Sequence, residues 1–217
     1  MNKELIKRIL SSIILIPVTL YFIIKGSFFF NFFLLFCYLI TIFEWSKMSI
    51  KTSYVFVGSI LITLSFYSIY SLRNEFDDNV LNILFILTIC ISTDVGGYIF
   101  GKIFKGPKLT KISPKKTYAG TIGSYFLTII SINIFLNSNY LNTSSKFTIE
   151  ILIFVVLIST VSQFGDILIS YFKRKSKIKD TGKIIPGHGG LLDRIDGIIF
   201  AFPVSYLILS MEIIEIF

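Results

Sequence analysis

Four aspartates, Asp94, Asp166, Asp193 and Asp196, together with the basic residues clustered near them, are the side chains of this sequence best suited to chemistry. Asp193 and Asp196 are three apart, a spacing that puts two side chains on one face of a helix. Carboxylates are hard oxygen ligands, and Mg²⁺ favours one or two of them completed by the phosphate oxygens of a ligand. Lysines supply the matching phosphate contacts. The run Ser113-Pro114-Lys115-Lys116-Thr117 stands before an apolar stretch. Serine is a favoured N-cap, proline suits the first helical position, and a helix start turns free N–H groups and a positive dipole end outward. Two lysines and a threonine at such a start form a phosphate clamp. Membrane topology alone would account for lysines in general but not for this cap pattern. The turn Pro186-Gly187-His188-Gly189-Gly190 adds glycines that let the backbone approach a ligand. His188 is the only histidine, and we read it as a binding residue, because phosphoryl chemistry chiefly needs positioning and charge neutralisation.

The elements that must position these residues are membrane helices. The 217 residues are 53% hydrophobic with 23 Phe, and the mean hydropathy is +0.77, beyond the roughly 45–50% apolar content of soluble domains. We therefore expect an all-α, polytopic membrane protein. Measured against the ~20 residues needed to cross ~30 Å of hydrocarbon, seven spans are predicted: 9–24, 27–43, 54–72, 80–100, 118–136, 149–172 and 195–217. The first two are joined tightly at Lys25-Gly26, which predicts a helical hairpin. The basic residues before the first span resemble the start of a signal peptide, but no small-residue cleavage site follows Ile24, so a retained anchor is expected. Asp94 lies about eight residues, or roughly 12 Å, inside the end of the fourth span, where a carboxylate is expensive unless paired or bound to a cation. Asp166 lies about seven residues below Lys173 in the sixth. The two cysteines, Cys37 and Cys90, both sit in apolar runs and read as small buried hydrophobes.

Lysine and arginine accumulate on the cytoplasmic side of membrane proteins. With the N-terminus cytoplasmic, 18 of the 21 basic residues fall on the inner side, leaving Lys25, Arg73 and Lys146 outside. Both charged loops then face the cytoplasm, and the expected location is the cell (inner) membrane. The positive charge belongs to particular loops, which argues against nucleic acid as a partner. No linker or repeat interrupts the chain, so residues 1–217 read as one membrane domain, with N-terminal helices over 1–90 and the charged loops and their helices over 91–217.

The segment from Ser170 to Asp196 carries a longer pattern: Ser170, Lys173-Arg174, Lys179-Asp180, Gly182, Ile185-Pro186, His188-Gly189-Gly190-Leu191 and Asp193-Arg194-Ile195-Asp196. It resembles the signature of the phosphatidate cytidylyltransferases, or CDP-diacylglycerol synthases, and is long enough that chance agreement is negligible. Asp94-Val-Gly-Gly-Tyr98, Ile112 to Thr117 and Gly165-Asp166 resemble further blocks of that family, and Glu44-Trp45 a more modest N-terminal one. The resemblance implies transfer of the cytidylyl group of CTP to phosphatidate, giving CDP-diacylglycerol and pyrophosphate, with Mg²⁺, and a second cation as a further expectation. It implies Asp166 and Asp193 as principal metal ligands and catalytic residues, with Asp196 and Asp94 as ligands or their neighbours. Lys173, Arg174 and Lys179 are implied at the reaction centre. Ser113, Lys115, Lys116, Thr117, Asp180, His188, Gly189, Gly190 and Arg194 are implied in substrate binding. CTP, phosphatidate and the bilayer are the implied partners, and a homodimer is raised as an assembly. The chain is short for that family, whose members usually carry more membrane-spanning sequence toward the N-terminus. A CTP-dependent lipid kinase of the polyprenol or phytol type is the main alternative. A cation-coupled transporter is disfavoured, because the acids gather at one end of the spans. A CDP-alcohol phosphatidyltransferase is disfavoured for want of a D-G-x-x-A-R motif.

Overall fold

A computed structural model describes residues 3–49, 52–75, 79–110, 112, 113, 115–138, 147–187, 189–214 and 216. Among these residues the secondary structure is helical apart from two isolated bridges, Lys108 with Thr117 and Ile185 with Gly189. Helices α1 (Lys3–Lys25) and α2 (Ser27–Met48) are separated only by Gly26, which takes a left-handed φ of 66°. The Arg73 guanidinium of α3 (Thr52–Asn74) seals this joint by donating from Nε to the Ile23 carbonyl at 2.9 Å. Helices α4 (Asn79–Phe104), α5 (Tyr118–Leu136) and α6 (Ile149–Lys175) follow, then the short α7 (Leu192–Ile195) and α8 (Ile198–Ser210).

Five helices are long and apolar enough to cross a membrane, covering Ser27–Met48, Tyr54–Asn74, Val80–Phe104, Tyr118–Leu136 and Ile149–Lys175. Two shorter apolar stretches, Ile13–Lys25 and Ile198–Ser210, stand where the first and seventh spans are expected. The last is shorter than its sequence suggests: 13 residues extend about 20 Å, less than the ~30 Å of hydrocarbon. It begins at Ile198, just after the Gly197 N–H donates to the Asp196 carboxylate at 3.0 Å, and it ends at Ser210.

The core lies where α4, α6 and α8 meet, with Ile86, Ile89, Phe154, Ile158 and Phe202 buried together. Phe28, Phe32, Ile122 and Ile134 point outward, as expected of surfaces that face lipid. Helices α4 and α5 make the closest contact. A Cβ added at Gly96 would lie 2.8 Å from the Gly123 carbonyl oxygen, and one at Gly120 would lie 2.8 Å from that of Gly97. Small residues on both faces thus allow the two backbones to touch, the device by which membrane helices associate without a hydrophobic drive.

Candidate active site

The close α4–α5 contact widens at its loop end into a cavity of about 280 Å³ closed on the third side by α6. Asp94 enters from α4, Lys116 and Thr117 from the segment before α5, and Gln163 and Asp166 from α6. Ser113 and Lys115 also line it. Beneath, Thr93 Oγ1 donates to Ser159 Oγ at 2.8 Å and lies 3.1 Å from Thr128 Oγ1, so hydroxyls from α4, α5 and α6 tie the floor together. These partners satisfy buried polar groups that would otherwise be costly in a membrane.

The start of α5 differs from the expected Ser113 cap. Thr117 is the cap: its backbone is extended, and its Oγ1 accepts from the Gly120 N–H at 3.1 Å. Ser113 instead accepts at its carbonyl from the Lys116 N–H at 3.0 Å, closing a turn. The reason lies in the preceding segment, which pairs back on itself as Leu109 N–H donates to the Lys116 carbonyl at 2.8 Å and Tyr118 N–H to that of Pro107 at 3.2 Å. The helix cannot begin until that pairing ends. Pro114 lies outside the described residues. The consequence is that Lys116 precedes the helix and reaches across to α6, where its Nζ sits 2.6 Å from Asp166 Oδ2 and 3.2 Å from the Gln163 carbonyl oxygen. Ser170 Oγ donates to the other Asp166 oxygen at 3.3 Å.

A second charged cluster adjoins the first. Lys173, buried at the end of α6, donates from Nζ to Asp193 Oδ1 at 2.9 Å and lies 3.9 Å from Asp196 Oδ2. Asp193 Oδ2 accepts from the Thr181 N–H at 2.8 Å and from the Gly190 N–H at 3.0 Å. Burial alone would raise the Asp193 carboxyl, but the Lys173 ammonium and these two N–H donors outweigh it and hold the group below the usual carboxylate range. Asp166 and Asp94 act through space on Asp196, and Asp94 feels Asp166, Lys116 and Arg194. Asp94, Asp166 and Asp196 therefore belong to one electrostatic neighbourhood, which Asp193 joins through Lys173. Among the described residues no three His, Cys, Asp or Glu side chains converge as a ready metal cage. Asp94 and Asp166 do share the cavity, and two hard carboxylates suit a Mg²⁺ ion whose remaining ligands come from phosphate.

The other expected residues lie around this centre. Lys179, Asp180 and Arg194 are exposed, as is Arg174, whose Nη1 donates to the Ile178 carbonyl at 3.4 Å. Gly189 has a left-handed φ of 92° and exchanges backbone hydrogen bonds of 2.9 and 3.1 Å with Ile185, so the glycine-rich turn is a closed loop. His188 lies outside the described residues.

Glu44 stands out in the structure in a way that sequence reasoning did not predict. Only 2% exposed, it accepts from Thr181 Oγ1 at 3.1 Å, Leu191 N–H at 3.1 Å and Leu192 N–H at 2.8 Å. The available signal was that it is the sole carboxylate in the 22-residue α2.

The model of the cytidylyltransferase family matches residues 50–212, which include both charged clusters. The chain belongs to the cytidylyltransferase family. It is similar to the phosphatidate cytidylyltransferase of Rickettsia prowazekii (strain Madrid E), with 41% identity over 170 residues, 76% of this chain and 74% of that protein. Similarity to the protein of the same name from Rickettsia typhi is 37% over 204 residues, 92% of this chain and 89% of the relative. With the Bacillus subtilis phosphatidate cytidylyltransferase it is 32% over 162 residues, 74% of this chain but 59% of the longer relative. Glu44 lies just before the stretch that the family model matches.

Proposed function

We propose that this protein transfers the cytidylyl group of CTP to phosphatidate, releasing pyrophosphate and leaving CDP-diacylglycerol in the bilayer. The observation that carries the reading is the cavity in which Asp94, Asp166 and Lys116 from three segments meet beside Lys115 and Ser113, within the stretch matched by the family. In the reaction a phosphate oxygen of phosphatidate bonds to the α-phosphorus of CTP as the bond to the pyrophosphate oxygen breaks. Both partners are anions, so the protein's main task is to bring them together and neutralise charge. Lys115 and Lys116 bind phosphate oxygens at the α5 end. Lys173, with Arg174, Lys179 and Arg194 at the rim, serves the other side, and the 185–189 turn brings backbone to the nucleotide. Asp166 and Asp94 would hold Mg²⁺, with Asp196 and the Lys173-paired Asp193 beside them. When bound, the ion supplies charge neutralisation at the transferring and leaving phosphoryl groups. We place the site on the cytoplasmic face of the inner membrane, supported by the 18 of 21 basic residues that one orientation gathers on that side.

The test is incubation of purified protein with phosphatidate, CTP labelled at the α-phosphate, and Mg²⁺. Label is expected in the lipid fraction together with released pyrophosphate. Label recovered only as CDP would point to a lipid kinase, and an unlabelled lipid fraction would overturn the proposal.

A further inference from the structure

We infer that Glu44, on α2 and far in sequence from both charged clusters, is a positioning residue for the 181–193 loop and, through it, for Asp193 and Lys173. The inference rests on the proposed activity for the meaning of that positioning, but the geometry stands by itself. Two carboxylates grip one turn from opposite sides. Consecutive amides are divided between them: Gly190 N–H donates to Asp193, and Leu191 and Leu192 N–H donate to Glu44. Thr181 is divided in the same way, its hydroxyl donating to Glu44 at 3.1 Å and its N–H to Asp193 at 2.8 Å. A displacement of the Glu44 carboxylate therefore moves the donors that fix Asp193 Oδ2, and Asp193 Oδ1 holds Lys173.

Two further observations show that the loop is shaped around this carboxylate. Gly190 carries no side chain where a Cβ would run into Thr181 Oγ1 and both Glu44 oxygens, and at Gly182 a Cβ would meet Glu44 Oε1. These two glycines of the signature are thus where the loop closes on Glu44. Among the described residues no lysine or arginine forms an ion pair with Glu44. Its charge is held by the loop's own donors, so loop and carboxylate each require the other. A buried carboxylate with this arrangement loses its stabilisation if the loop departs.

Glu44→Gln tests the inference, because the amide keeps the size of the side chain but replaces one acceptor with a donor. In detergent-solubilised protein, amide hydrogen exchange across 181–192 should speed up by about tenfold or more in this variant, while helices α4 and α6 keep wild-type protection. In the labelled-lipid assay kcat should fall by about tenfold or more, since the loop carries both Asp193 of the reaction centre and the turn that approaches the nucleotide. Thr181→Val should do the same, and the double variant should lose no more than the worse single one, because both act on one contact. Unchanged exchange across 181–192, a kcat that falls only in step with the melting temperature, or additive losses would each overturn the inference. Should Glu44→Gln fail to insert, Thr181→Val carries the same expectations and the same overturning results. A wild-type protein that labels no lipid would defeat the proposed activity, while the exchange measurement would still decide the role of Glu44.

Discussion

Asp166 and Asp193 occupy different electrostatic settings within one charged centre. Asp166 faces the cavity with Lys116 at 2.6 Å, whereas Asp193 is gripped by Lys173 and two backbone N–H groups. Asp166→Asn and Asp193→Asn each remove a charge and replace one acceptor with a donor while keeping the side chain's shape. Each is expected to lower kcat by about 100-fold or more, the scale of losing a charge contact at a reacting phosphoryl group, with the protein still inserted and helical by circular dichroism. Near wild-type turnover in both would remove them from the reaction centre. The aspartates themselves were legible from sequence, because a carboxylate in an apolar stretch announces itself. Their partners were not. Nothing in the spacing of Lys116 and Lys173 says which acid each one meets, and the role of Thr117 as cap follows from a local backbone pairing between 107–109 and 116–118 that composition does not encode.

At the scale of elements, the site depends on α4 and α5 meeting backbone to backbone. Gly120→Val places side-chain atoms against the Gly97 carbonyl, where even a Cβ would come within 2.8 Å. Overpacking of this kind costs about 1–3 kcal/mol, so the variant should melt several degrees lower in detergent, and because Gly120 lines the cavity beside Thr117 it should also lose activity. A wild-type melting temperature would show that the contact yields easily. The long spans were readable from hydropathy, and the predicted 118–136 coincides with α5. The interruption between α7 and α8 was not readable. Asp196 and Gly197 keep helical dihedrals, and at the break the Asp196 side chain takes the Gly197 N–H, a contact that periodicity cannot register. Glu44 escaped for a related reason: its three donors lie 137 to 148 residues away in the chain.

For the whole molecule, the proposed orientation makes a prediction about sidedness. With Cys37 and Cys90 replaced, a single cysteine at Asn137 should react with a membrane-impermeant maleimide added to spheroplasts, and one at Lys105 only after permeabilisation. Both positions are solvent-accessible or partly so in the structure, and the reverse labelling pattern would invert the assignment. The proposed orientation rests on the basic residues alone, because charge distribution is a property of loops and is independent of packing. How the helices gather around the cavity was not legible in that way, since Phe-rich surfaces look alike whether they face lipid or protein. The glycine-lined contact also bears on how such a cavity can vary. Where α4 and α5 touch at Gly96, Gly97 and Gly120 there is no side-chain layer to trim, whereas the cavity beside that contact is lined by side chains such as Tyr98, Thr121, Ser124 and Gln163. Adaptation of the cavity to a differently shaped ligand is thereby channelled to those side chains, leaving the separation of α4 and α5 as a fixed gauge.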